Sequence, residues 1–76
     1  MFIKDEVDVN RLNVADMFIE QARPKGGVWQ VTQKCESGGV QAKFVHRMYE
    51  DSRFPLVSEC ELLGDDKVYP VTGLII

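Results

Sequence analysis

The chain is poor in the residues that most often carry chemistry. Its 76 residues include one histidine, His46, one tryptophan, Trp29, and two cysteines, Cys35 and Cys60. Two cysteines are too few for a disulfide scaffold, and neither belongs to a C-x-x-C pair, so zinc-ribbon and thioredoxin-like readings have no footing. Two reduced thiols are expected, with no metal and no cofactor implied. Long apolar runs are missing as well. Nothing approaches the roughly 20 residues of a membrane-spanning helix, and "MFIKDEV" reaches acidic residues too early for a secretory signal. A cytoplasmic protein with no membrane partner is the expectation. Basic charge is in deficit: 9 Lys and Arg stand against 12 Asp and Glu, for a net charge of −3. That balance weighs against a general affinity for nucleic acid or anionic lipid.

What remains is the composition of a folding chain. Hydrophobic residues at 45% and charged residues at 28% lie well away from the signature of disorder. Residues 1–76 are expected to form one domain, which at this size buries about 60% of its unfolded surface. An enclosed substrate cavity with its own supporting shell does not fit into so small a core.

The stretch "DVNRLNVADMFIEQARPKGG" has a helical spacing: Leu12, Ala15, Ile19 and Ala22 recur along one stripe, widened by Val14 and Phe18. Asn13 with Asp16 resembles a capping box, Asp8 is an alternative start, and Pro24, Gly26 and Gly27 mark the stop. Asp16 and Glu20 then share the outer helix face as a like-charged pair. After the glycines the period changes to two. "VWQVTQKC", "VQAKFVHRMY", "LVSECELL" and "KVYPV" read as strands, and connections as short as "ESGG" and "LGDD" require antiparallel hairpins. The sequence therefore predicts an α+β fold, one N-terminal helix packed on a four-stranded antiparallel meander, with "MFIKDEV" as an optional extra edge strand. Pro70 places the last strand at an edge open to strand addition, because proline cannot donate to a central ladder.

The densest cluster of functional side chains is "KFVHRMYEDSRF", residues 43–54. Alternation sends Val40, Ala42, Phe44, His46 and Met48 to the core face and Gln41, Lys43, Val45, Arg47 and Tyr49 to the other. Pairing Cys35 with Val40 sets Val31 opposite Phe44 and Trp29 opposite His46. On the far side, Phe44 meets Cys60, His46 meets Ser58, and Lys43 meets Glu61. Cross-strand ion pairs with Glu59 and Glu61, worth roughly 0.2 to 1 kcal/mol each, are the natural use of Lys43 and Arg47. His46 becomes a partly buried core residue. Ser58 lies beside it, but Glu59 and Glu61 point through the opposite face, so no catalytic triad assembles.

Three functions follow, in order. The first is a non-enzymatic protein-binding or regulatory module, acting on a protein partner or on itself as a homodimer. Its contacts would be Val45, Tyr49, Arg53, Phe54 and Val57 on the outer face and turn, with Leu74, Ile75 and Ile76 at the apolar carboxy terminus. The second is a nucleic-acid binder using Lys43, Arg47, Tyr49 and Arg53, or a nucleic-acid mimic presenting Asp5, Glu6, Asp8, Asp16 and Glu20 on an acidic helix face. Nucleic acid is the disfavoured partner of the two. The third is a small enzyme centred on His46 with Ser58 and Trp29.

The ending "VYPVTGL", with "GVWQ" upstream, resembles the end of the small plasmid-borne dihydrofolate reductases, which are SH3-like barrels assembled into tetramers. The likeness is confined to those residues. Where that family places a glutamine, an aliphatic residue and a tyrosine before the proline, this chain has Lys67, Val68 and Tyr69. The cofactor-contacting glutamine is thus missing, the predicted helix has no counterpart there, and no site residue is carried over.

Overall fold

The computed structural model of the chain describes residues 1–47 and 58–74. Its elements are strands β1 (Phe2–Ile3), β2 (Val7–Asp8), β3 (Met17–Glu20), β4 (Val28–Lys34), β5 (Val40–His46), β6 (Glu59–Leu62) and β7 (Lys67–Thr72), with single 3-10 turns at Val9–Arg11 and Pro24–Gly26. They form one antiparallel sheet in the order β1-β7-β3-β4-β5-β6, and β2 joins it beside β7. The sheet curls into a half-barrel. From β3 to β6 each strand lies beside the next, and β7 then returns to the far side of β3.

This overturns the α+β expectation: the segment read as the N-terminal helix contains a 3-10 turn, a reverse turn and strand β3 instead. Local hydrogen bonds show why. The Asn13 N–H donates to Asp16 Oδ2 at 2.8 Å and the Asp16 N–H to the Asn13 carbonyl at 3.0 Å. Half of a capping box and the closure of a reverse turn use the same side-chain-to-backbone bond, so the Asn13–Asp16 spacing fits either. Ala15, with φ of 78°, decides between them, because no right-handed helix passes through that region. Met17, Phe18 and Ile19 then alternate faces, and β3 gains a ladder on both sides, from β4 and β7. One short isolated helix cannot match that many tertiary partners.

The left-handed turn at Ala15 is held by the sheet. Its N–H donates to the Val31 carbonyl at 2.9 Å, and its own carbonyl accepts from Gln30 Nε2 at 3.1 Å. An L-residue with a Cβ pays about 1 kcal/mol or more for this conformation. Ala15→Gly is therefore expected to stabilise the protein by roughly 0.5 kcal/mol after the extra freedom of glycine in the unfolded chain is subtracted. Thermal unfolding read by circular dichroism should rise by about 3 °C; an unchanged or lower Tm would show that the turn carries no such cost.

Strand β7 is internal, which corrects the edge position expected from Pro70. The proline carbonyl accepts the Lys4 N–H at 2.8 Å, so the Pro70 nitrogen faces the same flank. That flank is covered by two short strands, paired at Ile3↔Val71 and Val7↔Val68. Pro70 falls in the gap between them, where a missing donor removes no ladder bond.

Two bulges set the registers. Across β4 and β5 the partners are Val31↔Ala42, Trp29↔Phe44 and Val28↔His46, with irregularities between Val28 and Trp29 and between Val31 and Gln33. Across β5 and β6 they are Ala42↔Cys60, Lys43↔Glu59 and Gln41↔Glu61. Relative to the expected pairs Val31/Phe44, Phe44/Cys60 and Lys43/Glu61, the strands have slipped by two residues, which preserves the face of these side chains. The bulges make the exceptions: beyond Thr32 it is Lys34, not Cys35, that stands opposite Val40, and at the other end His46 changes face. Val45 is the extra residue of the first bulge, and the parity change leaves His46 exposed instead of in the core.

The concave side holds the main core: Val9, Phe18, Trp29, Val31, Val40 and Val68 at its centre, with Leu12, Ala42 and Leu62 around them. Phe44 meets the Trp29 ring edge-on, with centroids 5.6 Å apart and an interplanar angle of 79°. A second cluster lies on the opposite face, where Ile19, Val28 and Val71 are buried under Met17, Val45, Tyr69 and Leu74. Both faces of the middle strands are therefore apolar.

Candidate functional site

Register turns the outer face into rows. One runs Ile3, Val71, Met17, Gln30, Lys43, Glu59, each opposite the next on the neighbouring strand. A second runs Tyr69, Ile19, Val28, His46. The face is thus apolar over β1, β7, β3 and the start of β4, and charged over β5 and β6. At the apolar end it opens to solvent. Phe2 is 72% exposed, Ile3 52% and Met1 49%, and the Phe2 ring lies over Gly73, where an added Cβ would come within 3.2 Å of it.

The residues expected to touch a partner divide three ways. Val45 and Leu74 are half-buried against the chain's own second cluster. Tyr49, Arg53, Phe54 and Val57, with Ile75 and Ile76, lie outside the described residues. Lys43 is exposed opposite Glu59, but among the described residues the ion pairs are Arg23–Glu20 and Lys67–Asp8, so these two face each other without closing one. Phe2 and Ile3 were not among the expected contacts. The signal for them is positional: an aliphatic residue opposite Val71 on the outer face means little until β7 is known to be internal.

The predicted acidic helix face does not exist, and four of its five members, all but the exposed Asp5, have separate partners. Glu6 accepts from Gln21 Nε2, Asp8 pairs with Lys67 Nζ, and Asp16 is bound in its turn. Glu20 is 7% exposed, turned inward from the end of β3, and Arg23 Nη2 donates to both its carboxylate oxygens at 3.1 and 2.9 Å. The catalytic trio is not assembled either. Trp29 is buried in the main core, His46 is exposed opposite Val28, and the carbonyl of Ser58 accepts the Phe44 N–H at 2.8 Å. The Trp29 Nε1–H is buried with no acceptor among the described residues.

The Glu20–Arg23 pair lies along the unclosed seam of the half-barrel, an open concavity of about 370 Å³ bounded on the other side by Leu62 and the Asp65–Lys67 turn. Cys60 is close enough to feel both charges. Its pKa is raised from 9.0 to about 11, first by burial and then by the Glu20 carboxylate, with Arg23 opposing. At neutral pH this thiol is protonated and a poor nucleophile. The folded protein holds the thiol proton more tightly than the unfolded chain does, so this contribution to stability is complete below about pH 9 and is lost as pH rises toward 11. Alkylation of Cys60 by iodoacetamide, read by peptide mass, should accordingly be slow at pH 8 and accelerate through pH 11 in the native protein, while unfolding in urea should restore fast reaction at pH 9. Equal native and unfolded rates at pH 9 would contradict it.

Both cysteines are free, and among the described residues no group of three or more His, Cys, Asp and Glu side chains is placed to hold a metal ion. No described helix is long and apolar enough to cross a membrane. Compared with known proteins, the chain matches no family model, no curated protein and no solved structure. The Lys67 amine is engaged by Asp8.

Proposed function

We propose that this chain is a non-enzymatic protein-binding module whose contact surface is the apolar end of the outer sheet face. The observation that carries this reading is the second cluster of Ile19, Val28 and Val71, which continues through the row at Val71 to the exposed Ile3. An apolar patch that reaches solvent at a sheet edge, with charge across the rest of the face, is the anatomy of an interaction surface. A second copy of the chain and a different protein both fit it. The free thiols of Cys35 and Cys60 support a reducing, cytoplasmic location.

Size-exclusion chromatography with light scattering, on the full chain, on Ile3→Asp and on a form lacking residues 74–76, tests the reading. The parent should self-associate with rising concentration or retain a stoichiometric protein. Ile3→Asp should keep the parent Tm within a few degrees, since the position is half exposed, and lose the association. A parent that stays monomeric at every concentration and retains nothing would overturn it.

A further inference from the structure

We propose that β6 is a docking strand, and that an extended segment of a partner protein alternating basic and apolar residues adds to its open edge. This surface lies across the sheet from β1 and is independent of the apolar-face reading. Strand β6 pairs with β5 on one side, and among the described residues no strand pairs with the other. The ladder shows which groups that edge presents. Phe44 donates to the Ser58 carbonyl at 2.8 Å, and the register continues as Ala42↔Cys60 and Val40↔Leu62. In an antiparallel pair, backbone groups turn toward the partner at every second residue. Ser58, Cys60 and Leu62 therefore point theirs at β5, and Glu59 and Glu61 point theirs at the open edge.

The same two residues carry the charge. Glu59 and Glu61 are exposed, stand opposite Lys43 and Gln41, and are in no ion pair among the described residues. Together with Thr32 and Gln41 they border an open concavity of about 290 Å³. The exposed Asp65 and Asp66 carry the acidic rim into the next turn. An added strand would set one alternate row of side chains beside the two carboxylates and the other beside Cys60 and Leu62 on the concave side, where the Arg23 guanidinium, paired with Glu20 across the seam, leaves room for apolar but not for basic residues. Basic residues suit the first row and apolar residues the second, the division of labour in strand addition between backbone affinity and side-chain specificity.

Charge also selects the occupant. Symmetric pairing of β6 with a second copy of itself would bring Glu59 and Glu61 of one chain against the same carboxylates of the other, an unfavourable cross-strand contact. A basic segment of a different protein reverses the sign of that term. The edge at β1 offers only two residues, Phe2 and Ile3, whereas β6 offers four.

An acetylated hexapeptide alternating lysine and valine is the probe, titrated into the full isotope-labelled chain by amide NMR, with a glutamate–valine analogue and an analogue N-methylated at alternate residues as controls. The expected result is saturable binding that shifts the Glu59 and Glu61 amides, protects them from exchange and weakens at higher salt. Neither control should bind. The double substitution Glu59→Gln with Glu61→Gln should weaken binding about fivefold with the Tm unchanged, and Ile3→Asp should leave it unaltered. Absence of saturable binding, binding insensitive to the double substitution, shifts mapping to β1 and β7, or concentration-dependent protection of Glu59 and Glu61 without peptide would each overturn the proposal. A failure of the apolar-face reading would appear instead in the Ile3→Asp chromatography and leave the titration untouched.

Discussion

Gly27→Ala is expected to cost about 3 kcal/mol and to lower the Tm by about 15 °C. Gly27 sits just before β4 with φ of 97°, which disfavours any L-residue. The space is closed as well: a Cβ there would lie 2.6 Å from the His46 carbonyl oxygen and 2.6 Å from Phe44 Cε2. The carbonyl is backbone within the bulged end of β5 and cannot step aside cheaply. Phe44 is braced edge-on against Trp29. A chain of 76 residues has a total stability of about 4 to 11 kcal/mol, so the substitution should bring the protein close to unfolding at ordinary temperature. Urea titration followed by tryptophan fluorescence measures it. A loss below 1 kcal/mol would mean that the start of β4 relaxes away from β5. The contrast with Ala15→Gly, where a side chain already stands at positive φ and its removal should stabilise, makes the pair a single test of backbone conformation with opposite expected signs.

The strands from β4 onward were legible because their two faces differ in chemistry. Val40 and Ala42 against Gln41 and Lys43, and Cys60 and Leu62 against Glu59 and Glu61, alternate cleanly, and a register error of two residues leaves such a pattern intact. The bulges were not legible. Thr32 and Val45 are the inserted residues, and nothing in "VTQ" or "FVH" announces them, although the second one moves His46 from the core to the surface. The helical spacing misleads for a related reason. In β3 the sheet is apolar on both faces, so Phe18 and Ile19 follow one another directly, and a short continuous apolar run carries no period of its own. Leu12 and Ala22 flanking it then completed a helical stripe by chance. Turn chemistry at Asn13–Asp16 was visible, but it suits a cap and a reverse turn alike.

The double-sided burial makes Val28→Asp the sharpest test of what the outer face is for. With Trp29 in the core, strict alternation sends Val28 to the polar face, where aspartate would be harmless in a monomer and would matter only to a partner. In the structure Val28 is 0% exposed, adjoining Gly27 and packed with Ile19 and Val71 under Val45, Tyr69 and Leu74. The exposed His46 stands opposite on β5 but outside the cluster, and burying a carboxylate among these apolar side chains costs about 4 kcal/mol or more, enough to unfold most of the molecules. Val28→Ala, which only removes two methyl groups, should cost about 2 kcal/mol. Ile3→Asp, at the exposed end of the same patch, should leave the fold intact. That gradient separates the two uses of one surface: its inner part, over Ile19, Val28 and Val71, is core, and its rim at Ile3 is the part free to bind. Circular dichroism and urea titration of the three variants would show it. A folded Val28→Asp protein with parent-like stability would mean that the cluster is open in solution and that the contact surface extends to the middle of the sheet.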